Sequence, residues 1–192
     1  MRPIAWLLLS AAACVTAPRA TDAQAGRDPR AASQIASAAG PTATALIEAS
    51  GGGGGGLSGN ARLSAVGNDG LGVHLELQGA TPGPHGVFIA DRGGCGEGHA
   101  LGHYNPNRGA HHGGPPTAVR HGGDLGNIEV DASGKGVLDV VVQDVSLASV
   151  ANGVVDRALV VTSGADDLHT DPDGDAGPPI ACGLILAPPL NR

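Results

Sequence analysis

Aromatic side chains are nearly absent from this sequence, which has one Phe, one Tyr and one Trp among 192 residues. Trp6 lies in an apolar run close to the N-terminus, so Phe88 and Tyr104 are the aromatic residues left for a folded domain. We therefore expect a hydrophobic core built from Val, Leu, Ile and Ala.

Positive charge is also scarce, with 11 Lys and Arg residues against 18 Asp and Glu, a net charge of −7. Without residues 1–25, which carry Arg2, Arg19 and Asp22, nine basic and 17 acidic residues remain, a net charge of −8. A chain of this charge has no basic face for nucleic acid or for an anionic membrane. We therefore expect neither as a partner.

The apolar run at residues 4–13 follows Arg2 and is too short to span a bilayer. Its place and length are typical of a secretory signal, and Ala23, Gln24 and Ala25 fit a small-residue cleavage site. We predict a signal peptide over residues 1–25, export to the periplasm or the medium, and no transmembrane segment in the mature protein. A lipid anchor at Cys14 is the alternative, although Ala11 stands where lipoproteins favour leucine.

Only three cysteines are present, and Cys14 falls in the predicted leader. In an oxidising compartment Cys95 and Cys182 are expected to form one disulfide, which would join the start of a histidine-rich loop to the last predicted strand. Two separate free thiols are the alternative.

Short apolar segments alternate with clusters of Gly, Pro, Asn and Asp from residue 42 onward. They lie at 42–48, 57–66, 72–78, 86–90, 127–131, 136–143, 157–162 and 180–186. Eight short strands with turn residues between them predict an all-β antiparallel sandwich or barrel, a single domain over residues 42–192. Residues 26–41 have little apolar periodicity, so we interpret them as a flexible linker, and no stretch of the chain predicts a helix.

The strand at 86–90 alternates between two faces. Side chains of successive strand residues point to opposite sides of a sheet, so Val87 and Ile89 share one face while Phe88 and Ala90 share the other.

Residues 103–124 hold four of the eight histidines and end at Asp124. Three imidazoles and one carboxylate are the ligands of a tetrahedral zinc ion, and we predict that His103, His112, His121 and Asp124 bind one zinc. Because all four ligands would be protein atoms, this zinc would be structural rather than catalytic.

The chain resembles the copper/zinc superoxide dismutase family from about residue 41 to its end. The segments that carry the resemblance are H-G-V-F-I-A-D at 85–91, G-G-C at 93–95, H-Y-N-P at 103–106, H-G-G-P at 112–115, R-H-G-G-D-L-G-N at 120–127, R-A-L-V-V at 157–161, A-D-D-L at 165–168 and A-C-G at 181–183. The resemblance implies an eight-stranded Greek-key β-barrel of the sandwich type. It also implies the disulfide between Cys95 and Cys182.

The family's zinc ligands fall on His103, His112, His121 and Asp124. One extra residue between the first two leaves His111 as an alternative to His112. The family's buried aspartate, which links the two metal sites, falls on Asp166, where it would orient His112.

The family's copper site, by contrast, is not preserved. Its ligands fall on Phe88, Ala90 and Thr162, none of which is a suitable copper ligand, and its substrate-guiding arginine falls on Pro179. The loop at 163–179 has five aspartates and neither Lys nor Arg, so it would not steer a small anion. Zinc alone has no redox chemistry. We therefore predict an exported zinc-binding protein without catalytic residues or dismutase activity, in which copper is not a cofactor.

Two other functions stay open. The first is an active dismutase whose copper lies at a displaced site formed by His103 with the loop histidines His99 and His111. The second is a partner of an active dismutase, similar to the copper chaperones that contain such a barrel. Pairing as a homodimer, or as a heterodimer with a related dismutase, is compatible with either function.

Overall fold

The structure, a computed structural model, describes residues 28–38, 40–50, 56–67, 70–95, 101–115, 117–147 and 151–188. The predicted signal peptide, Cys14 and His99 lie outside these residues. No helix in the described ranges has the length and apolar character needed to cross a membrane.

Eight strands form within the described residues, one at each predicted segment. They are β1 (Thr42–Ala49), β2 (Ser58–Val66), β3 (Gly70–Gln78), β4 (Gly83–Ile89), β5 (Asp124–Val130), β6 (Lys135–Gln143), β7 (Ala158–Thr162) and β8 (Pro179–Leu184). All neighbouring strands pair antiparallel, in the closed order β1-β2-β3-β6-β5-β4-β7-β8. The pairs β3–β6 and β4–β7 join strands that do not follow each other in the chain, as Greek-key connections require. The predicted all-β barrel is confirmed.

The barrel interior is filled by aliphatic side chains at alternate positions of the strands. On β3, for example, Val73, Leu75 and Leu77 are buried, whereas Glu76 and Gln78 are exposed. This period-2 pattern places one face of each strand against the core. Tyr104 joins this core at its edge.

The two faces of β4 are both buried, but in different places. Val87 and Ile89 belong to the barrel core, as their alternation predicts. Phe88 and Ala90 belong to a second apolar cluster with Ala158, Val160 and Cys182, outside the barrel. Cys182 bonds to Cys95, with 5.7 Å between their Cα atoms, so the predicted disulfide is confirmed and borders this second cluster.

The interpretation of residues 26–41 as a flexible linker without helix is wrong over α1 (Pro29–Ala36). Asp28 caps this helix by accepting a hydrogen bond from the backbone N–H of Arg30 at 2.8 Å, and Pro29 occupies the first helical position. Ile35 is buried over Gly72 of β3, where a Cβ atom would come within 2.6 Å of Ile35 Cγ1. A helix of eight residues is unstable alone, so contacts with the barrel, which no local pattern reveals, must hold it.

Strands β4 and β5 each begin three residues before the predicted start, at Gly83 and at Asp124. Turn-forming residues obscure both starts in the sequence, whereas pairing between the strands defines them. Phe88 is the register partner of Asp124, and Ala90 forms an isolated bridge with His103. The beginning of the histidine-rich loop is thereby tied to the same end of the barrel as its last residue.

Candidate metal centre

Asp124 is the centre around which the histidine-rich loop folds. Its Oδ2 accepts hydrogen bonds from the backbone N–H groups of Gly113 at 3.0 Å and His121 at 2.9 Å. Its Oδ1 lies 2.7 Å from Nδ1 of His103, 3.2 Å from Nδ1 of His112 and 3.3 Å from Nδ1 of His121. One carboxylate oxygen is thus held by the backbone, and the other faces three imidazole nitrogens.

These four predicted ligands are all buried, and one possible ligand atom of each lies within 4.8 Å of the others. The Nδ1 atoms of His112 and His121 are fully buried and have no hydrogen-bond partner. Buried polar atoms are nearly always paired, so two such nitrogens facing a carboxylate oxygen fit a metal ion bound between them. Three imidazole nitrogens and one carboxylate oxygen fit tetrahedral zinc. The described residues therefore suit the zinc ion that the sequence predicts.

The structure brings His112 rather than His111 to this centre. The imidazole of His111 is 79% exposed and places Nδ1 2.5 Å from Asp171 Oδ2, outside the group. Asp171 Oδ1 accepts the backbone N–H of His112 at 2.6 Å. A single carboxylate thus binds both neighbouring residues and holds only His112 facing inward.

Asp166 orients the imidazole of His112 from the other side. Its Oδ1 lies 2.7 Å from Nε2 of His112 and accepts the backbone N–H of Leu168 at the same distance. The side chain of Asn127 forms two hydrogen bonds of 2.8 Å with the backbone N–H and C=O of Asp166. This pair fixes the acidic loop to β5, a role that the sequence did not assign to Asn127 even though the residue ends the R-H-G-G-D-L-G-N segment.

The protonation of the centre follows from these contacts. Burial opposes the charged form of His112, but its hydrogen bond to the carboxylate of Asp166 and the charges of Asp124 and Asp166 prevail and raise its pKa. Burial likewise opposes ionisation of Asp124, yet the hydrogen bond and charge of His103, the charge of His112 and the N–H of Gly113 lower its pKa. Asp124 is thus an ionised carboxylate ready to accept a cation.

The positions that match the family's copper ligands lie beside His103 but carry no donor atom aimed at it. The ring of Phe88 stacks on the imidazole of His103, with centroids 4.0 Å apart and planes inclined by 15°. Ala90 is fully buried. The hydroxyl of Thr162 donates toward the backbone oxygens of Gly86 at 3.2 Å and Gly164 at 3.0 Å. The Phe88–His103 stack was not predicted, because residues 15 positions apart meet only through the bridge between Ala90 and His103.

Thr162 is further fixed by His85, which is buried in the framework. The Nδ1 atom of His85 lies 2.8 Å from the carbonyl oxygen of Thr162, and its Nε2 lies 2.8 Å from the carbonyl oxygen of Thr81. The hydroxyl of Thr81 also lies 3.2 Å from Nε2, so both ring nitrogens have partners and His85 is not free to bind a metal.

A cleft of about 440 Å³ lies beside His103, and the other three predicted zinc ligands are not among its lining residues. Its walls include Phe88, Leu101, Thr162 and Pro179, together with Pro172, Asp173 and Pro178 of the acidic loop. Pro179, which stands at the position of the family's guiding arginine, provides an apolar wall and no positive charge.

Known proteins resemble this chain in both sequence and fold. The family model for copper/zinc superoxide dismutase matches residues 57–185. An extracellular Cu-Zn superoxide dismutase of Drosophila melanogaster is 40% identical over 122 residues, which cover 59% of this chain and 66% of the fly protein. One of Caenorhabditis elegans is 38% identical over 125 residues, which cover 60% of this chain and 55% of the nematode protein. The chain thus spans less than two thirds of either relative.

Among solved structures, the crystal structure of the clock protein EA4 is similar, with a TM-score of 0.67 and 29% sequence identity. The match covers 78% of this chain and 96% of that protein. The barrel, the collinear metal-loop segments and the extent of the family match lead to one conclusion. The chain belongs to the copper/zinc superoxide dismutase family.

Proposed function

We propose that this protein is an exported member of the family that binds one structural zinc ion per chain and does not dismute superoxide, acting instead through zinc binding or interaction with a partner. The observation that carries the proposal is the pairing of a complete set of zinc ligands around Asp124 with a phenyl ring on the adjacent face of His103. The extracellular relatives support export of this chain.

Zinc would be held by the Nδ1 atoms of His103, His112 and His121 and by Oδ1 of Asp124. Bound there, zinc would supply a closed four-coordinate centre that stabilises the fold, without electron transfer. The chain's own residues prepare the centre: Asp166 orients His112, and the N–H groups of Gly113 and His121 hold the second oxygen of Asp124. Such contacts around the ligands fix their orientation and raise metal affinity.

Copper would find one imidazole, that of His103, and no second ligand at the family's positions. Phe88 and Ala90 have no donor atom, and the hydroxyl of Thr162 is engaged with backbone oxygens. Copper(II) prefers several nitrogen ligands in a square arrangement, so a single imidazole would not retain it. The aspartates of the loop at 163–179 would also repel a small anionic substrate.

The alternative of an active dismutase with displaced copper has little support from the described residues. Two groups of possible metal ligands come within 4.8 Å there, one around Asp124 and one formed by His112, Asp166 and Asp167. Neither group includes His111, whose imidazole pairs with Asp171.

The experiment is a measurement of metal content and activity on the full chain after exposure to equimolar Zn²⁺ and Cu²⁺. We expect about one zinc and no copper per chain. Superoxide dismutation should not exceed that of the same metal ions without the protein. Stoichiometric copper together with dismutase activity would refute the proposal and favour a displaced copper site.

We also propose that a second barrel, either another copy of this chain or a related dismutase, docks on the outer face of β1 and β8. Leu46 is 63% exposed there, and Leu184 and Leu186 are 38% and 50% exposed. The register of these strands places Leu46 opposite Leu184, next to the bridge between Thr44 and Leu186. An apolar group of this kind on a polar surface is typical of an interface. If the wild-type chain is a dimer in light scattering, Leu46→Glu should make it a monomer. If the wild-type chain is a monomer, the heterodimer is tested by mixing the chain with a related dismutase.

A further inference from the structure

The cleft beside His103 has the size and lining of a small-molecule site. Its volume of about 440 Å³ falls within the ~300–1,000 Å³ typical of ligand pockets. Phe88, Leu101, Pro172 and Pro179 make its walls mainly apolar. Rigid prolines and a buried ring lose little conformational entropy on binding, which favours a preformed site.

The polar group of this cleft that carries the proposal is the imidazole of His103. The side chain of His103 is 2% exposed, and its Nδ1 faces Asp124 at 2.7 Å. Phe88 covers one face of the imidazole. The edge that bears Nε2 is turned away from Asp124, and Nε2 makes no hydrogen bond with any residue that the structure describes. Because His103 lines the cleft, this nitrogen is a polar atom available to a ligand there.

The hydrogen-bonding character of Nε2 depends on what binds Nδ1, so this step rests on the proposed function. With zinc on Nδ1, the neutral imidazole carries its proton on Nε2, which then donates a hydrogen bond. Asp173, an exposed residue of the acidic loop that also lines the cleft, supplies an acceptor. A ligand therefore needs one acceptor and one donor, joined to an apolar body.

Charge narrows the class of ligand further. The carboxylates of Asp173 and its neighbours in the loop disfavour an anion. A cation would meet the hydrogen on Nε2 of His103, which binds acceptors only, so a cation is disfavoured beside that residue. A neutral molecule avoids both penalties.

We propose that this cleft binds a small, neutral, mainly apolar molecule that bears a carbonyl-type acceptor for the Nε2–H of His103 and an N–H or O–H donor for Asp173. An aromatic primary amide belongs to this class. Its ring would lie against Phe88, Leu101 and Pro172. The cleft would thus serve as a ligand-binding site on the side of His103 where the family holds copper.

The test uses the zinc-loaded full chain, with zinc content measured on the same sample, and titrates it with benzamide. We expect a dissociation constant on the order of millimolar, as for other very small ligands, and a shift of the His103 Nε2–H signal in ¹⁵N–¹H spectra. Benzoate, which has the same shape but carries a charge and no donor, should bind more weakly. Leu101→Trp, which fills the cleft, should abolish the shift.

Asp173→Asn removes one exposed negative charge from the lining of the cleft. The ratio of benzamide affinity to benzoate affinity should therefore fall by about two- to five-fold. Asp175→Asn is the matched control, because it removes an equal charge from the same loop outside the cleft. The ligand site is refuted if the protein holds one zinc per chain but benzamide does not shift the His103 signal. It is also refuted if Asp173→Asn and Asp175→Asn have equal effects. Either result leaves the proposed function unchanged. A sample that takes up no zinc overturns the proposed function itself, and the donor role of Nε2 with it.

Discussion

Phe88 and His103 stack face to face, with ring centroids 4.0 Å apart and planes inclined by 15°. The stack joins the apolar cluster outside the barrel to the group of possible metal ligands around Asp124. It holds the imidazole of His103 in one orientation, with Nδ1 toward Asp124 and the opposite edge toward the cleft. The phenyl ring of Phe88 can orient the imidazole of His103 without binding a metal. His103 is thus the residue of this pair that can act as a metal ligand.

Asp124→Ala should remove zinc and destabilise the protein by about 3–5 kcal/mol, the usual cost of breaking a buried charge pair. The substitution also leaves the N–H groups of Gly113 and His121 without their acceptor. Chemical denaturation with and without a zinc chelator measures the effect. Chelation should lower the stability of the wild type and have no further effect on Asp124→Ala.

Asp173→Ala is the control for this substitution, since it removes an exposed carboxylate from a neighbouring loop. It should keep about one zinc per chain and the wild-type response to chelation. If Asp124→Ala does not fold, chelation of the wild type still decides the matter, because an unchanged unfolding midpoint would contradict a structural zinc.

The combined substitution Phe88→His, Ala90→His and Thr162→His should create a copper site next to His103. These positions share one side of the barrel with His103, and imidazole supplies the nitrogen donors that copper(II) prefers. We expect about one copper per chain and an electron paramagnetic resonance spectrum of nitrogen-coordinated copper(II). The wild type should retain about none.

Glutamine at the same three positions provides the matched control, because it is polar and of similar size but lacks imidazole nitrogen. Equal copper retention by the histidine and glutamine variants would show that copper binds elsewhere. Copper retention by the wild type itself would contradict the proposed loss of the copper site.

Asp167 should titrate well below the usual range of an aspartate and stabilise the acidic loop. Hydrogen bonds from the hydroxyl and then the N–H of Thr170, aided by the N–H of His169, lower its pKa from 3.8 to about 2. Because the pKa in the folded state is depressed, its stabilising effect is fully present above pH ~3.8 and is lost as the pH falls through ~2. Carbon-13 NMR of the side-chain carboxyl measures the midpoint.

Thr170→Val removes the hydroxyl that contributes most to this shift and should raise the midpoint of Asp167 toward 3.8. The zinc centre should be unaffected, since Thr170 is exposed and its hydroxyl binds Asp167. A midpoint near 3.8 in the wild type would show that these hydrogen bonds do not hold the carboxylate of Asp167.

Gly72→Ala should displace helix α1 from the barrel. The added Cβ would lie 2.6 Å from Ile35 Cγ1 and 3.1 Å from Val66 Cγ2. Overpacking of this kind costs about 1–3 kcal/mol. Hydrogen exchange of residues 29–36 should accelerate, and the free energy of unfolding should fall.

Ile35→Ala in the same chain tests whether this contact is the cause. The double variant should lose little more stability than Ile35→Ala alone, because the clashing Cγ1 methylene is gone. If the double variant instead loses as much stability as the two single variants together, Gly72 is required for another reason.

Much of the barrel was predictable because strand geometry is local. Side chains alternate across a strand with period 2, so alternate apolar residues such as Val73, Leu75 and Leu77 predict a buried face from the sequence alone. The same alternation separated Val87 and Ile89 from Phe88. The start of β5 at Asp124 was missed, since a ladder with β4 defines it. Helix α1 was missed because its stability comes from Ile35 packing on Gly72, a contact between distant parts of the chain.

By itself, then, the sequence determined the eight strands, the disulfide between Cys95 and Cys182, and the types of side chain available to a metal. These depend on local backbone preference and on residue chemistry, which the order of amino acids states directly. The tertiary structure decided which atoms meet. It turned His112 rather than His111 toward Asp124, because Asp171 holds both residues, and it laid Phe88 on His103 and opened the cleft beside them. Those relationships exist only where strands far apart in the chain are brought together by the closed barrel.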